Sequence, residues 1–345
     1  MYEGDDAAVN GVWGVSGALN QISSNNRRAV VLGASGFIGT RLVGRLAADG
    51  VEVVAVDIAP PRTVRDRVIY VTADVRQPLS PGLGVGAQTL YNLAAVHRTP
   101  GHLPHEYYET NVMGASHATE LAAANGVERI VFTSSISVYG PSEQVVTEQS
   151  PLEPTSDYGR SKRLAEIVHR RWAEAERGRK LVIVRPGVIF GPGERGNYSH
   201  LAKALRRGFF VYPGRKDTVK SGGHVDELLR AVEFAISKCK REVLFNFAFP
   251  DESTTEEIVG AFSRVAGYPS THATVPVAPL LAAASVFEVA DALGIQNPIH
   301  RERVLKLFQS TRVSPAWLLA NGYDFEHTLE TALAGWHLET EGRFD

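Results

Sequence analysis

"RAVVLGASGFIGTRLVGRLAADGVEVVAVD", residues 28–57, holds two apolar runs rich in β-branched residues, with a glycine turn and a helical pattern between them. Arg28–Leu32 reads as a buried strand. Phe37, Leu42, Val43 and Leu46 then recur at three- and four-residue steps before Gly50, as one face of a helix does, and 51–57 is a second buried strand. Gly33, Gly36 and Gly39 stand three apart between the first strand and the helix. Backbone must come close to a pyrophosphate at such a turn, and the helix N-terminus offers N–H donors and the positive end of a dipole. Asp57 closes the second strand, where an acid can hydrogen-bond the adenosine ribose hydroxyls. The same carboxylate repels a 2′-phosphate, so NAD is favoured over NADP, with Arg62 as the nearby counterweight.

Working outward, further strands are expected at 67–74, 88–95, 128–135 and 180–186, with helices over 106–125 and 157–177. Strand–helix alternation of this kind predicts an α/β fold, a Rossmann-type doubly wound parallel sheet. Past residue 186 the texture loosens. Gly-rich loops at 191–197 and 213–223 flank a helical segment, and helices follow at 225–239, 254–266, 278–293, 300–309 and 326–338, with a strand near "VLFNFAF". The expected organisation is a flexible extension over 1–27, a dinucleotide-binding domain over 28–186, and a smaller, mostly helical substrate lobe over 187–345 with parts returning to the sheet.

Composition narrows the partners. The 345 residues carry 36 Lys and Arg against 38 Asp and Glu, a formal charge of -2, so the chain as a whole attracts neither nucleic acid nor anionic lipid. No apolar run reaches the length of a membrane-spanning helix. Cys239 is the sole cysteine, which fits a reducing cytoplasm. His102 and His105 have no carboxylate–cysteine cluster beside them and read as surface loop, so no metal is expected.

"SDYGRSKRLAE" (156–166) places Tyr158 and Lys162 one helical turn apart on one face. A phenol is a poor base at neutral pH unless a cation stabilises its anion, and Lys162 and the helix N-terminus are placed to act this way. Ser135, at the end of the fifth strand, can hold a substrate oxygen while Tyr158 exchanges its proton.

These segments, with "TADV", "NLAA", "ETNVMGASHATELAAANGVERIVFTSSISVYG", "VRPGVIFGPG" and "GHVDEL", make the chain similar over most of 28–338 to the extended short-chain dehydrogenase/reductases, the NAD-dependent epimerase/dehydratase family. By that resemblance Ser135, Tyr158 and Lys162 match the catalytic residues. Asn111 matches a structural active-site asparagine, and Asp74 and Val75 match an adenine-contacting pair. The cofactor positions implied are Gly33, Ser35, Gly36, Phe37, Ile38, Gly39 and Asp57, then Leu93, Ala94, Ala95 and Pro186 at later strand ends, with Asn111, Tyr158 and Lys162. Ile136 and Ser137 replace the Asp-Glu pair of the nucleotide-sugar dehydratases, which disfavours dehydration. What is left is an epimerase or oxidoreductase acting through a 4-keto intermediate on a UDP- or dTDP-hexose. A ketoreductase, a reductase of steroid-like or flavonoid-like alcohols, and a non-enzymatic dinucleotide-binding protein stay open. Substrate contacts are expected from His97, Ser135, Ile136, Ser137, Asn197 and Lys220, with Arg195 and Lys216 as further cations for a diphosphate. Val188 stands where many sugar-nucleotide members have asparagine. The resemblance also implies a homodimer built on the helices over 106–125 and 157–175.

Overall fold

The structure, a computed structural model, describes residues 27–98, 101–269, 273–279, 305 and 307–345. The extension over 1–26 and most of the helices expected at 278–293 and 300–309 lie outside the described residues. Seven strands form one wholly parallel sheet: β1 Arg28–Leu32, β2 Glu52–Asp57, β3 Val68–Thr72, β4 Thr89–Asn92, β5 Arg129–Thr133, β7 Lys180–Pro186 and β11 Glu242–Phe247. Their spatial order is β11-β7-β5-β4-β1-β2-β3, so the chain reverses direction beside β1, where α/β sheets of this type bind ligands.

Alternation along β1 shows why its sequence is apolar throughout. Ala29 and Val31 join one core with Leu42, Val43 and Leu46 of α1 (Phe37–Ala48), whereas Val30 and Leu32 join a second core with Ala118, Leu121 and Ala122 of α3 (Gly114–Ala124). A sheet covered on both faces needs side chains that tolerate burial at every position.

The strand near "VLFNFAF" belongs to this sheet. β11 pairs with β7 from Glu242↔Leu181 to Phe247↔Pro186, and α6 (Val225–Lys238) lays Leu228, Leu229 and Val232 on the first core, so 225–247 returns to the dinucleotide domain. The second lobe has its own core. Phe190, Tyr198, Tyr212, Phe262, Trp336 and Phe344 pack between α5 (Asn197–Arg206), α7 (Thr255–Ala266) and the helix Leu329–Glu339. Three two-stranded ribbons complete the fold: β6 Ser142–Val146 with β13 Thr311–Val313, which ties the loop after β5 to the lobe, β8 Val188–Phe190 with β10 Gly222–His224, and, within the lobe, β9 Tyr212–Pro213 with β12 Thr274–Val275.

The expected helix over 106–125 is broken into α2 (Pro104–Tyr108), a π-helical turn at Glu109–Met113, and α3. Single π turns within helices often sit at functional positions, and this one contains Asn111.

Candidate active site

At the end of β1 the chain turns back under β2: Gly33 and Ala34 both donate their N–H to the Val56 carbonyl, at 2.9 and 3.2 Å. Gly33 holds φ +81, and a Cβ there would lie 2.7 Å from the Ala94 nitrogen; one on Gly39 would lie 2.1 Å from the Gly33 carbonyl oxygen. Only hydrogen fits at either place. The N-terminus of α1 has no side-chain cap and no acid in its first turn, which leaves its donors and its dipole for an anion. Asp57 is fixed beside it by N–H donors from Ser35 and Ala59, each at 2.9 Å. This cradle, with an acid at the strand end, fits a dinucleotide. Leu93 and Ala94 run alongside Gly33, and Leu93 extends the β4 ladder by donating to the Leu32 carbonyl. Phe37 and Ile38 open α1, with Ile38 against the first core.

α4 (Asp157–Ala175) begins where the sequence places it, with the Ser156 hydroxyl accepting the Gly159 N–H at 3.1 Å. Gly159 lets this helix press against the turn after β5, since a Cβ there would sit 2.3 Å from the Ser137 carbonyl oxygen. That approach sets Tyr158, in the first turn of α4, beside the turn that carries Ser135, whose hydroxyl acts to lower the phenol. Ser135 caps a short 3₁₀ turn: its Oγ accepts the Ser137 N–H and donates to the Ser137 Oγ, both at 3.1 Å. Asn111 ties the loop beyond β4 to this helix. It exchanges two 3.1 Å hydrogen bonds with Val96 and donates to the Ser161 Oγ at 2.9 Å.

The electrostatics differ from the simple expectation. Burial pushes the Tyr158 phenol up to about 12, and its bond with Ser135 pulls only weakly the other way. Lys162 does not relieve it. Its ammonium donates to the Thr133 carbonyl at 2.8 Å and rests 4.9 Å over the Phe132 ring, and burial, opposed by Glu166, drops it to about 7. The lysine is therefore turned toward the sheet, where a backbone carbonyl and an aromatic face meet its buried stem.

A stability test follows from that sign. Between about 7 and the ordinary 10.5 the unfolded chain binds a proton on Lys162 that the folded chain does not, so this group makes stability rise with pH across the window and costs most at its lower end. The melting temperature of Lys162→Met relative to wild type is expected to be highest near neutrality and to fall as pH rises toward 10.5, as scanning calorimetry of the cofactor-free protein would read.

Beneath these residues lies a buried polar network that sequence reading missed. Ser134 donates to Glu166 at 2.6 Å, and Arg185 grips both Glu166 oxygens at 2.8 and 2.6 Å. Arg185 also donates to the Tyr139 hydroxyl at 2.7 Å, and Tyr139 donates to Asn246 at 2.8 Å. Two signals pointed there: Glu166 lies one turn after Lys162 on the same helix face, and Arg185 interrupts the apolar strand "KLVIVRP". Leu164 and Ile167 stand on the opposite, outer face of α4, 42 % and 40 % exposed. The inward face instead carries Lys162, Ala165, Glu166, His169 and Trp172.

Other expected site residues lie as follows. Asp74 is held below the usual carboxylate range by its hydrogen bonds with Arg76, 2.6 Å away at the closest. Val75 packs its side chain toward Gly114 and gives its carbonyl to His117. Ala95 follows Ala94 in the strip beside the glycine turn, Ile136 lies half-buried in the turn after Ser135, and Pro186 ends β7 opposite Phe247. His97 follows the same strip, its imidazole held below its ordinary value by burial, Arg98 and Lys162. Asn197 is exposed at the start of α5, while Lys220 donates its ammonium to the Gln309 carbonyl at 2.7 Å. Lys216 pairs with Glu256 at 3.4 Å. The structure thus gathers Ser135, Tyr158, Lys162 and Asn111, and engages two of the three loop cations in contacts within the protein. Glu194, not foreseen, is buried and orders the loop before α5 by accepting the Ser199 N–H at 2.9 Å. Among the described residues no cluster could hold a metal ion.

A dinucleotide cradle at the sheet's reversal point, with a serine–tyrosine pair beside it, defines an extended short-chain dehydrogenase/reductase. The family model for the NAD dependent epimerase/dehydratase family matches residues 29–246, and the chain belongs to that family. It is 30% identical over 315 residues to the N-acetyl-alpha-D-glucosaminyl-diphospho-ditrans,octacis-undecaprenol 4-epimerase of Escherichia coli O157:H7, covering 89% of this chain and 93% of that protein. It is 28% identical to the UDP-glucose 4-epimerase of Lacticaseibacillus casei, over 69% of this chain and 81% of the other. The solved structure of MoeE5 in complex with UDP-glucose and NAD superposes with a TM-score of 0.71 at 25% identity, covering 91% of this chain and 98% of that one.

Proposed function

We propose that this chain is an NAD-dependent 4-epimerase of a hexose carried on a diphosphate, with the nucleotide sugars of the UDP or dTDP type as substrate class. The observation that carries the reading is that Gly159 presses the first turn of α4, with Tyr158, against the turn that carries Ser135, beside the glycine cradle. Ser135 holds the C4 oxygen and Tyr158 takes the hydroxyl proton, leaving a 4-keto sugar; on return the proton goes back to the oxygen and the opposite configuration results. NAD, when bound, would supply a reversible hydride acceptor for C4, so that no net redox change would accumulate. Gly33, Gly36, Gly39 and the α1 N-terminus would hold its pyrophosphate, and Asp57 its ribose. The epimerase relatives and the lack of an acid–base pair at Ile136 and Ser137 support epimerisation over dehydration or net reduction.

The relative with 93% coverage acts on a polyprenyl diphosphate sugar, and that observation favours a second carrier, a lipid diphosphate, at the same site. Purified protein incubated separately with UDP-hexoses and with a polyprenyl diphosphate N-acetylhexosamine should interconvert the C4 isomers of one class without a lasting change in nicotinamide absorbance. Isomerisation of neither class, or stoichiometric consumption of reduced nicotinamide, defeats the proposal. The outer face of α4, with Leu164 and Ile167, is the surface proposed for a homodimer in the cytoplasm, and light scattering should give twice the chain mass of 37.5 kDa.

A further inference from the structure

We propose that the C-terminal end of α5 and the turn that follows it dock on an anionic lipid bilayer. From Arg195 to Lys216 the chain contains no acidic residue. Tyr198, Ala202 and Leu205 bury one face of α5, and Lys203, Arg206 and Arg207, at i, i+3 and i+4, share the exposed face. None of these three cations has an ion-pair partner among the described residues, whereas Arg215 and Lys216 further along are paired with Asp217 and Glu256. Positive charge without partners is therefore concentrated at one helix end.

An aromatic ring stands next to it. Gly208, at φ +70, ends the helix, and Phe209 projects from the turn 83% exposed, the most exposed large apolar side chain among the described residues; Val211 beyond it is 43% exposed. An unpaired phenyl group flanked by cations matches the two layers of a bilayer surface, with phosphates meeting Arg and Lys and the ring entering the acyl boundary. A nucleic acid would use the charges and leave Phe209 no apolar layer to enter. The whole-chain charge of -2, which indicated no membrane partner, averages this patch away. The docking holds whichever carrier bears the sugar, and its readout needs no turnover.

Flotation of the full chain with vesicles tests it. Wild type should float with phosphatidylglycerol-containing vesicles and not with pure phosphatidylcholine, and should be released between about 0.05 and about 0.5 M salt as screening shortens. Arg206→Glu with Arg207→Glu should weaken binding by about twentyfold or more, and Lys203→Glu alone by about fivefold. Phe209→Ser should weaken it by about tenfold while keeping the salt dependence. All of these are surface changes, so melting temperatures should stay near wild type; Lys203→Glu serves if the double reversal lowers its own. No binding of wild type to anionic vesicles at low salt overturns the proposal. So does binding that neither reversal nor Phe209→Ser alters, or capture on heparin as strong as on vesicles with Phe209→Ser without effect, which would mark a general polyanion site.

Discussion

Tyr158→Phe is expected to lower kcat for isomer interconversion by about 10³-fold while KM and the amount of copurifying nicotinamide dinucleotide stay close to wild type. The change removes a single oxygen, so the cradle formed by Gly33, Gly36 and Gly39 and the body of α4 are untouched. A serine hydroxyl is far too weak an acid or base to replace a phenol, and Lys162 is committed to the Thr133 carbonyl. Proton transfer at the C4 oxygen would then depend on water. The phenol's elevated value of about 12 sharpens the expectation: the free protein keeps Tyr158 protonated, so activity should rise with pH through the neutral range as a base is needed. A variant retaining more than about a tenth of the wild-type rate would remove Tyr158 from the chemistry, since general acid–base groups contribute more than that. Dinucleotide released on denaturation, weighed by mass spectrometry, separates lost chemistry from lost cofactor.

How much of this was legible before the structure depended on whether a residue's task is local. The β1–α1 turn was readable because Gly39 meets the Gly33 and Ala34 backbone a few residues back and Gly33 holds a positive φ, and the start of α4 because Ser156 caps its own first turn. That parts of 187–345 return to the sheet was expected, but which part was not legible, since nothing in "VLFNFAF" says which edge it will pair with and its partner β7 lies some sixty residues earlier in the chain. The ribbons β8, β9, β10 and β12 are two or three residues long and too short to show a period of two. The two faces of α4 were not separable by spacing alone, since Leu164 and Ile167 face outward while the inner face is taken by Lys162, Glu166 and His169. The direction of the Lys162 ammonium was beyond the sequence for the same reason: the Thr133 carbonyl that draws it comes from another strand.

Arg185→Met is expected to destabilise the fold by about 3–5 kcal/mol, because it leaves the Glu166 carboxylate without its main partner in a site closed to water. Glu166 is 0% exposed and Arg185 2%. Burial alone pushes Glu166 upward, and Arg185 and Ser134 outweigh it to hold the carboxylate below its ordinary range, so the pair contributes stability that is lost as pH falls through the depressed value. Removing the guanidinium reverses the balance. Ser134 at 2.6 Å and Arg170 at 3.3 Å remain, and neither is a bidentate cation. In a chain of this size the loss should lower the melting temperature by about four to seven degrees. The double variant Glu166→Leu with Arg185→Met takes away both charges and should recover much of the loss, since an apolar pair of similar volume is often as stable as a buried ion pair. It should not recover full activity. Glu166 opposes the fall of Lys162, so without it the ammonium titrates lower still, and Ser134 next to Ser135 loses its acceptor. Denaturant unfolding of the two variants separates the roles: equal destabilisation in both would mean that the side-chain volume of Arg185, and not the unpaired carboxylate, holds β7 against α4.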